Sequence, residues 1–324
     1  FPKESIKYCL KEANISLEDI NYITFYDKPF IKFERLLETY LTEAPKGFQS
    51  FLMSIPVWLK DKLFLKETLA REFKILYEEL SPNLSEKEFK EFKTKVIEKF
   101  MFGEHHQSHA GSAFYPSPYE EAAILTIDGV GEWSTTSFGY AKDNDIKLTH
   151  DIRWPHSLGL FYSAFTYFLG FKVNEGEYKL MGLSSYGKPK FVDIILDKLI
   201  DVKEDGSIRL DMKYFAFTYD KVMTNEKFST LFGIERRDED SKTKQIHLDI
   251  AASAQKVLEN ILLKMVNHVY ENTDTKNLCL GGGVALNGVA NFKILKEGPF
   301  ENVHIPPSPG DAGSAVGCAQ YLYF

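Results

Sequence analysis

The order of elements from residue 122 onward limits the fold more than any composition does. The apolar run Ala123-Ile-Leu-Thr-Ile127 has the length of a buried strand. Segments 135–140 and 146–152 follow as further strands, with Lys142-Asp-Asn-Asp145 turning the chain between them. Helical spacing then predicts helices near 158–169, 176–185 and 191–199, a mixed segment to about residue 241, and a long amphipathic helix over 248–272. Asn277-Leu-Cys-Leu280 reads as another buried strand, Gly281-Gly-Gly283 as a turn, 285–295 as a helix, Val303-His-Ile305 as a strand and 311–323 as a last helix.

Three strands and a helix, then strand, helix, strand, helix, is the order of a ribonuclease-H-like lobe, a mixed α/β sheet with helices on its faces. Residues 122–324 make one such lobe. Residues 1–121 offer the later part of a second: a helix at 2–13, a turn capped in Ser16-Leu-Glu-Asp19, a strand at Tyr22-Ile-Thr-Phe25 and a strand at Phe100-Met-Phe-Gly103. Between the two strands lies a helical insertion, about 33–102, broken at Pro45, Pro56 and Ser81-Pro82-Asn83; its many Phe and Leu side chains read as packing. The opening strands of this first lobe are absent, and the start at Phe1 suggests a missing beginning.

At 324 residues with 44% hydrophobic content the chain can fill a large core. A net charge of -7 and a pI near 5.7 make nucleic acid an unlikely default partner. No run approaches the roughly 20 apolar residues of a spanning helix. Cys9, Cys279 and Cys318 stand far apart in apolar contexts and read as buried thiols, which with the lack of a signal peptide points to the cytoplasm. The sequons at Asn14 and Asn83 then read as chance.

The densest chemistry is Glu104-His-His-Gln-Ser-His109, at the start of a helix that Pro116 and Pro118 end. His105 and His109 are four apart and share one helix face. Asp128 ends the first strand of the lobe, where open α/β sheets place ligands, and Gly129, Val130 and Gly131 after it let backbone amides approach an anion. Asp311 opens the last helix, either as a cap or as a fourth member of a two-His, two-Asp set suited to Fe(II), Mn(II) or Zn(II). His106 is expected to back the site or face solvent, and Glu132 to be solvated.

Two nucleotide fingerprints fail. Leu278-Cys-Leu-Gly-Gly-Gly-Val-Ala-Leu-Asn287 carries Leu286 at the third glycine of a dinucleotide motif. Gly182-Leu-Ser-Ser-Tyr-Gly-Lys-Pro189 puts proline where a Walker A loop needs a hydroxyl. The turn Gly281, Gly282, Gly283 can still receive a sugar or phosphate, with Asn287 offering an amide.

Taken together, His105-His-Gln-Ser-His109, Leu125-Thr-Ile-Asp-Gly-Val-Gly-Glu132, Gly176-Glu-Tyr-Lys-Leu-Met-Gly-Leu183, Gly281-Gly-Gly-Val-Ala-Leu-Asn287 and Pro309-Gly-Asp-Ala-Gly313 closely resemble, in order and interval, the O-carbamoyltransferases of the NodU/CmcH family. The resemblance implies a two-lobed actin/Hsp70-like fold, shared with tRNA threonylcarbamoyl transferases, and an iron held by His105, His109, Asp128 and Asp311 against the phosphate of a carbamoyl-adenylate. It implies nucleotide-binding turns at Gly129 to Gly131, Gly176 and Gly281 to Asn287, with His156 near the ribose. It further implies an N-terminal hairpin with a His-Asp pair and a C-terminal YrdC-like domain, neither of which this sequence contains; the expectation is a fragment of a larger enzyme.

The function so implied is carbamoyl transfer from carbamoyl-adenylate, made from carbamoyl phosphate and ATP, to a hydroxyl of a small-molecule acceptor. The proton acceptor is unassigned, and a second copy of the chain is a further candidate partner. Two rivals stay open: an ATP-dependent kinase or phosphatase using Mg²⁺, and a nucleotide-binding scaffold without turnover.

Overall fold

A computed structural model describes residues 1–81 and 85–324. Pro82 and Asn83, and with them one expected break and one sequon, lie outside the described residues. The chain opens with α1 (Lys3–Ala13) and a short strand β1 (Ile23–Phe25), then runs through α2 (Pro29–Glu43), α3 (Phe48–Val57), α4 (Leu65–Leu80) and α5 (Glu86–Glu98) to β2 (Phe100–Phe102). β1 and β2 pair in parallel, Ile23 opposite Phe100, so the insertion leaves and returns at one place. Ser16 and Asp19 close the turn after α1 as expected, through 2.7 and 2.8 Å hydrogen bonds. Pro56 does not break its helix: it sits inside α3, and the chain continues through a π-helical turn at Trp58–Lys62. The wider turn shifts the backbone ladder that proline interrupts and lets the helical path go on.

Next comes α6 (His105–Phe114), and then the meander β3 (Glu121–Ile127), β4 (Ser134–Lys142) and β5 (Asp145–Arg153). Helices α7 (Leu158–Phe168), α8 (Glu177–Ser184) and α9 (Val192–Lys198) lead to a hairpin of β6 (Ile200–Val202) and β7 (Ile208–Leu210). After α10 (Glu226–Phe232) and the long α11 (Gln245–Glu271), β8 (Asn277–Gly281), α12 (Gly288–Glu297), β9 (Asn302–His304) and α13 (Asp311–Tyr323) complete the chain. α8 contains Gly182, which places the Walker-like stretch partly in helix, as its rejection required.

The main sheet has the order β5-β4-β3-β8-β9, antiparallel through the meander and parallel from β3 to β9. β3 lies at its centre, and its side chains alternate between two cores. Ala123, Leu125 and Ile127 join the large cluster formed with Phe161, Phe165, Phe168 and the apolar face of α11. Ala122 and Ile124 face the other way, against Ala110, Ala113 and Phe114 of α6. A third cluster, with Leu76, Phe73, Val96 and Phe100, belongs to α1, α4, α5 and β2.

Three further expectations need correction. The helix expected over 285–295 is two pieces, a 3-10 turn at Gly283–Leu286 and then α12, because Asn287 breaks the run and caps α12 by accepting the Ala290 N–H. Asp311 is not a cap: Gly310 holds that position, and no side chain caps α13. Cys9 is exposed, since α1 is a surface helix that buries Leu10, whereas Cys279 and Cys318 are buried as expected. Among the described residues, no helix is long and apolar enough to cross a membrane.

Candidate metal centre

Parallel pairing of β3 with β8 brings their carboxyl ends together, Thr126 opposite Gly281. Asp128 therefore emerges beside the glycine turn, and the Gly283 N–H donates to its Oδ1 at 2.9 Å. Gly282 has a φ of +89° and packs on the Ile127 carbonyl, a conformation and an approach that favour glycine. The two glycine turns expected from the sequence thus flank one carboxylate.

α6 lies across this corner and presents both histidines. His105 Nε2 is 3.1 Å from His109 Nε2 and 2.9 Å from Asp128 Oδ2. His109 Nε2 is 3.7 Å from Asp128 Oδ2. Asp311, from the first turn of α13, places Oδ1 3.6 Å from His105 Nε2 and 3.5 Å from His109 Nε2. One ligand atom from each of the four lies within 4.8 Å of every other. The histidines are buried, while the Asp311 side chain is 55% exposed, so the group opens to solvent on the α13 side.

The donor set fits a divalent ion. Bonds of about 2.1 Å to imidazole and carboxylate set neighbouring ligand atoms about 3 Å apart in octahedral and about 3.4 Å in tetrahedral geometry, and the observed separations bracket both. The outer ring nitrogens are already engaged: His105 Nδ1 by Asp27 Oδ1 at 2.8 Å, and His109 Nδ1 by Ser314 Oγ at 2.9 Å. Both Nε2 atoms therefore turn toward one spot, where protons or a cation can satisfy them.

Electrostatics agree. Burial pushes the His105 imidazolium down, but the carboxylates of Asp128 and Asp27 outweigh it and raise the pKa to about 9. His109 is raised against the same burial penalty by Asp128 and Asp311. Asp128, although burial opposes its charge, is held well below the usual carboxylate range by the two imidazoles. The pocket demands positive charge, from protons or from a metal.

The remaining candidates divide. Among the described residues, the N–H groups of Gly129 and Val130 have no acceptor, whereas those of Asp128 and Gly131 go to the carbonyls of Thr135 and Ser134. The Gly129 carbonyl is held by Ser157 Oγ at 2.6 Å. Asn287 is 8% exposed, and its amide is spent on Gln255 and on capping α12. His156 accepts from the Leu210 N–H at 3.2 Å, and Gly176 starts α8 against Phe171 and Lys172; neither makes a described contact with the metal group.

His106 faces inward, bonding Thr126 Oγ1 and the Ser134 carbonyl, and burial drops its pKa to about 3, so it is a neutral ring behind the site. Glu132 is not solvated. It is 9% exposed and accepts the N–H groups of His105 and Lys28, because Gly131 brings it under the first turn of α6. Asp27 and Ser314 are participants the motifs did not reveal. Ser314 had a signal, three residues after Asp311 on one helix face; Asp27 had none.

The carbamoyltransferase N-terminus family model matches residues 1–320. The chain belongs to that family. An uncharacterized Synechocystis protein is 52% identical over 99% of this chain and 51% of its own length. Nodulation protein NolNO of Sinorhizobium fredii is 33% identical over 99% of this chain and 42% of that protein. Nodulation protein NolO of Bradyrhizobium diazoefficiens is 32% identical over 66% of this chain and 37% of that one. This carbamoyltransferase N-terminus chain therefore spans about half the length or less of these curated relatives. The HypF crystal structure from T. kodakarensis overlaps 73% of this chain and 39% of that one at 16% identity with a TM-score of 0.37, too loose for residue-level comparison.

Proposed function

We propose that this chain is the metal- and nucleotide-holding part of an O-carbamoyltransferase with a two-lobed actin/Hsp70-like architecture. In this reading carbamoyl phosphate loses inorganic phosphate to water, and the resulting carbamate attacks the α-phosphate of ATP and expels pyrophosphate to give carbamoyl-adenylate. A hydroxyl of a small-molecule acceptor then attacks the carbonyl, giving up its proton and breaking the bond to AMP, which leaves. The observation that carries it is the convergence of His105, His109, Asp128 and Asp311, from three separate elements, in a member of a carbamoyltransferase family.

An Fe(II) ion suits the donor set, with Zn(II) or Mn(II) as alternatives; when bound, it would supply positive charge beside the leaving phosphate. The free amides of Gly129 and Val130 are available to anionic oxygens of the same phosphate. Gly131 lets the loop pass close to His105, and the Gly281 to Gly283 turn packs closely enough to fix Asp128. His156 and Gly176 would border the nucleotide farther from the metal, and Asn287 would act by shaping the turn. Two imidazoles in the set weigh against a Mg²⁺-dependent kinase, whose ion takes oxygen ligands.

The test uses the full-length natural protein. Wild type is expected to hold close to one equivalent of transition metal and to release AMP from ATP only when carbamoyl phosphate and a hydroxyl acceptor are present. His109→Ala should lose both properties while retaining the circular dichroism of the fold. Retention of metal and of adenylate binding by His109→Ala would overturn the site assignment.

A further inference from the structure

Asp27 sits in the turn between β1 and α2, far in sequence from every candidate ligand, yet it is only 8% exposed. Its two oxygens have separate tasks. Oδ1 lies 2.8 Å from His105 Nδ1, and Oδ2 lies 2.7 Å from the ammonium of Lys32, on the first turn of α2. An imidazole whose Nδ1 faces a carboxylate carries its proton there, so Nε2 presents a lone pair to the metal group. The ring of His109 is held differently, by the neutral hydroxyl of Ser314. The two histidines are therefore unequal, and only His105 is backed by charge.

The surroundings reinforce the same contact. Glu132 accepts the backbone N–H of His105 and that of Lys28, tying the main chain of α6 to the residue after Asp27. Arg35, one turn beyond Lys32, donates to the Gly131 carbonyl at 2.6 Å. The start of α2 thus clamps both the His105 backbone and the loop after Asp128. An unbacked ring could rotate about its Cβ bonds; this one is fixed at Nδ1, at its backbone and at Nε2.

We infer that Asp27, itself held in place by Lys32, is a positioning residue that orients His105 and polarises it as a ligand for a divalent transition-metal ion. The inference rests on the metal reading of the four-residue group, and it adds the beginning of the helical insertion to that centre. Replacing such an outer carboxylate weakens metal binding by about 10- to 100-fold. Other contacts hold the fold around the site, so the loss should appear in affinity and ligand field before it appears in folding.

The probe is Co(II), added to the metal-free full-length protein and followed by its visible absorption and by competition with a chelator. Wild type is expected to bind with an absorption spectrum typical of mixed nitrogen and oxygen ligands. Asp27→Asn, which keeps the shape and removes the charge, is expected to bind at least tenfold more weakly with a shifted spectrum. Leu76→Ala, in the neighbouring α4 core, serves as a stability control: it should lower the melting temperature yet leave affinity and spectrum unchanged. Equal Co(II) affinity and spectra for Asp27→Asn and wild type would overturn the inference alone. Equal losses in Asp27→Asn and Leu76→Ala would overturn it too, by making the effect one of general stability. Failure of wild type to bind Co(II) would overturn the metal reading as well.

Discussion

His105 couples protonation and stability in one ring, and in the proposed reading metal binding as well. Its folded pKa of about 9 lies above the ordinary value of 6.5. In metal-free protein its favourable contacts therefore stabilise the fold fully below pH 6.5 and lose that effect as pH rises through 9, on the order of 3 kcal/mol in all. An ion must displace this proton, so metal affinity should change in the opposite direction and strengthen over the same interval. Melting curves recorded from pH 6 to 9.5, with chelator and with saturating metal, check both trends; a chelated protein that gains stability toward pH 9 would contradict them. Gly283 makes a second prediction. A Cβ there would stand 2.8 Å from Asp128 Oδ1. Gly283→Ala should displace that carboxylate and weaken metal binding by roughly tenfold or more, read by chelator competition. The four members of the candidate group were legible because their spacing carries chemistry: an i, i+4 histidine pair, a strand-end Asp and a helix-start Asp. Asp27 and the buried state of Glu132 were not, because a lone carboxylate takes its meaning from a partner that only the folded chain supplies.

At the scale of elements, the site depends on how closely α6 and α13 cross. A Cβ on Gly317 would fall 2.0 Å from the Ser108 carbonyl oxygen and 2.3 Å from the Ser112 nitrogen, and one on Gly111 would fall 2.5 Å from the Gly317 carbonyl. Ala312, Gly313, Ser314, Ala315 and Gly317 make α13 a helix of small residues able to pack closely, although the sequence does not identify α6 as the helix they meet. Gly317→Ala should force the helices apart, cost about 1–3 kcal/mol by overpacking, and move Asp311 and Ser314 away from the histidines. Differential scanning calorimetry gives the first effect and metal stoichiometry the second; an unchanged metal content would show that the crossing is not what assembles the group. The strands and helices themselves were mostly legible, since burial enforces period on β3 and α11. The α12 boundary was not, because Asn287 acts through a cap and a buried pair with Gln255 that periodicity does not encode.

At the scale of the molecule, the buried apolar side chains among the described residues form a large cluster on the α11 face of the sheet, a separate one among α1, α4, α5 and β2, and a smaller one on the α6 face of the sheet. Their independence is testable. Leu76, fully buried in the second cluster, should cost about 2–5 kcal/mol when replaced by alanine. Hydrogen exchange should then quicken in α1, α4 and α5 and stay slow in β3 and β8, as expected for local opening; a uniform loss of protection would mean that the clusters unfold as one. Metal should stabilise the centre by mass action in Leu76→Ala as in the unaltered protein.

The bond from Ser314 to His109 joins positions 205 residues apart. During synthesis, His105, His109 and Asp128 emerge long before Asp311 and Ser314, so the growing chain carries three members of the candidate group well before the fourth. An ion held by the proposed centre would be firmly bound only after the sheet has formed and α13 has docked across α6. Metal capture in the proposed reading would thereby be a late event, and retention of an ion would report that this long-range closure has taken place.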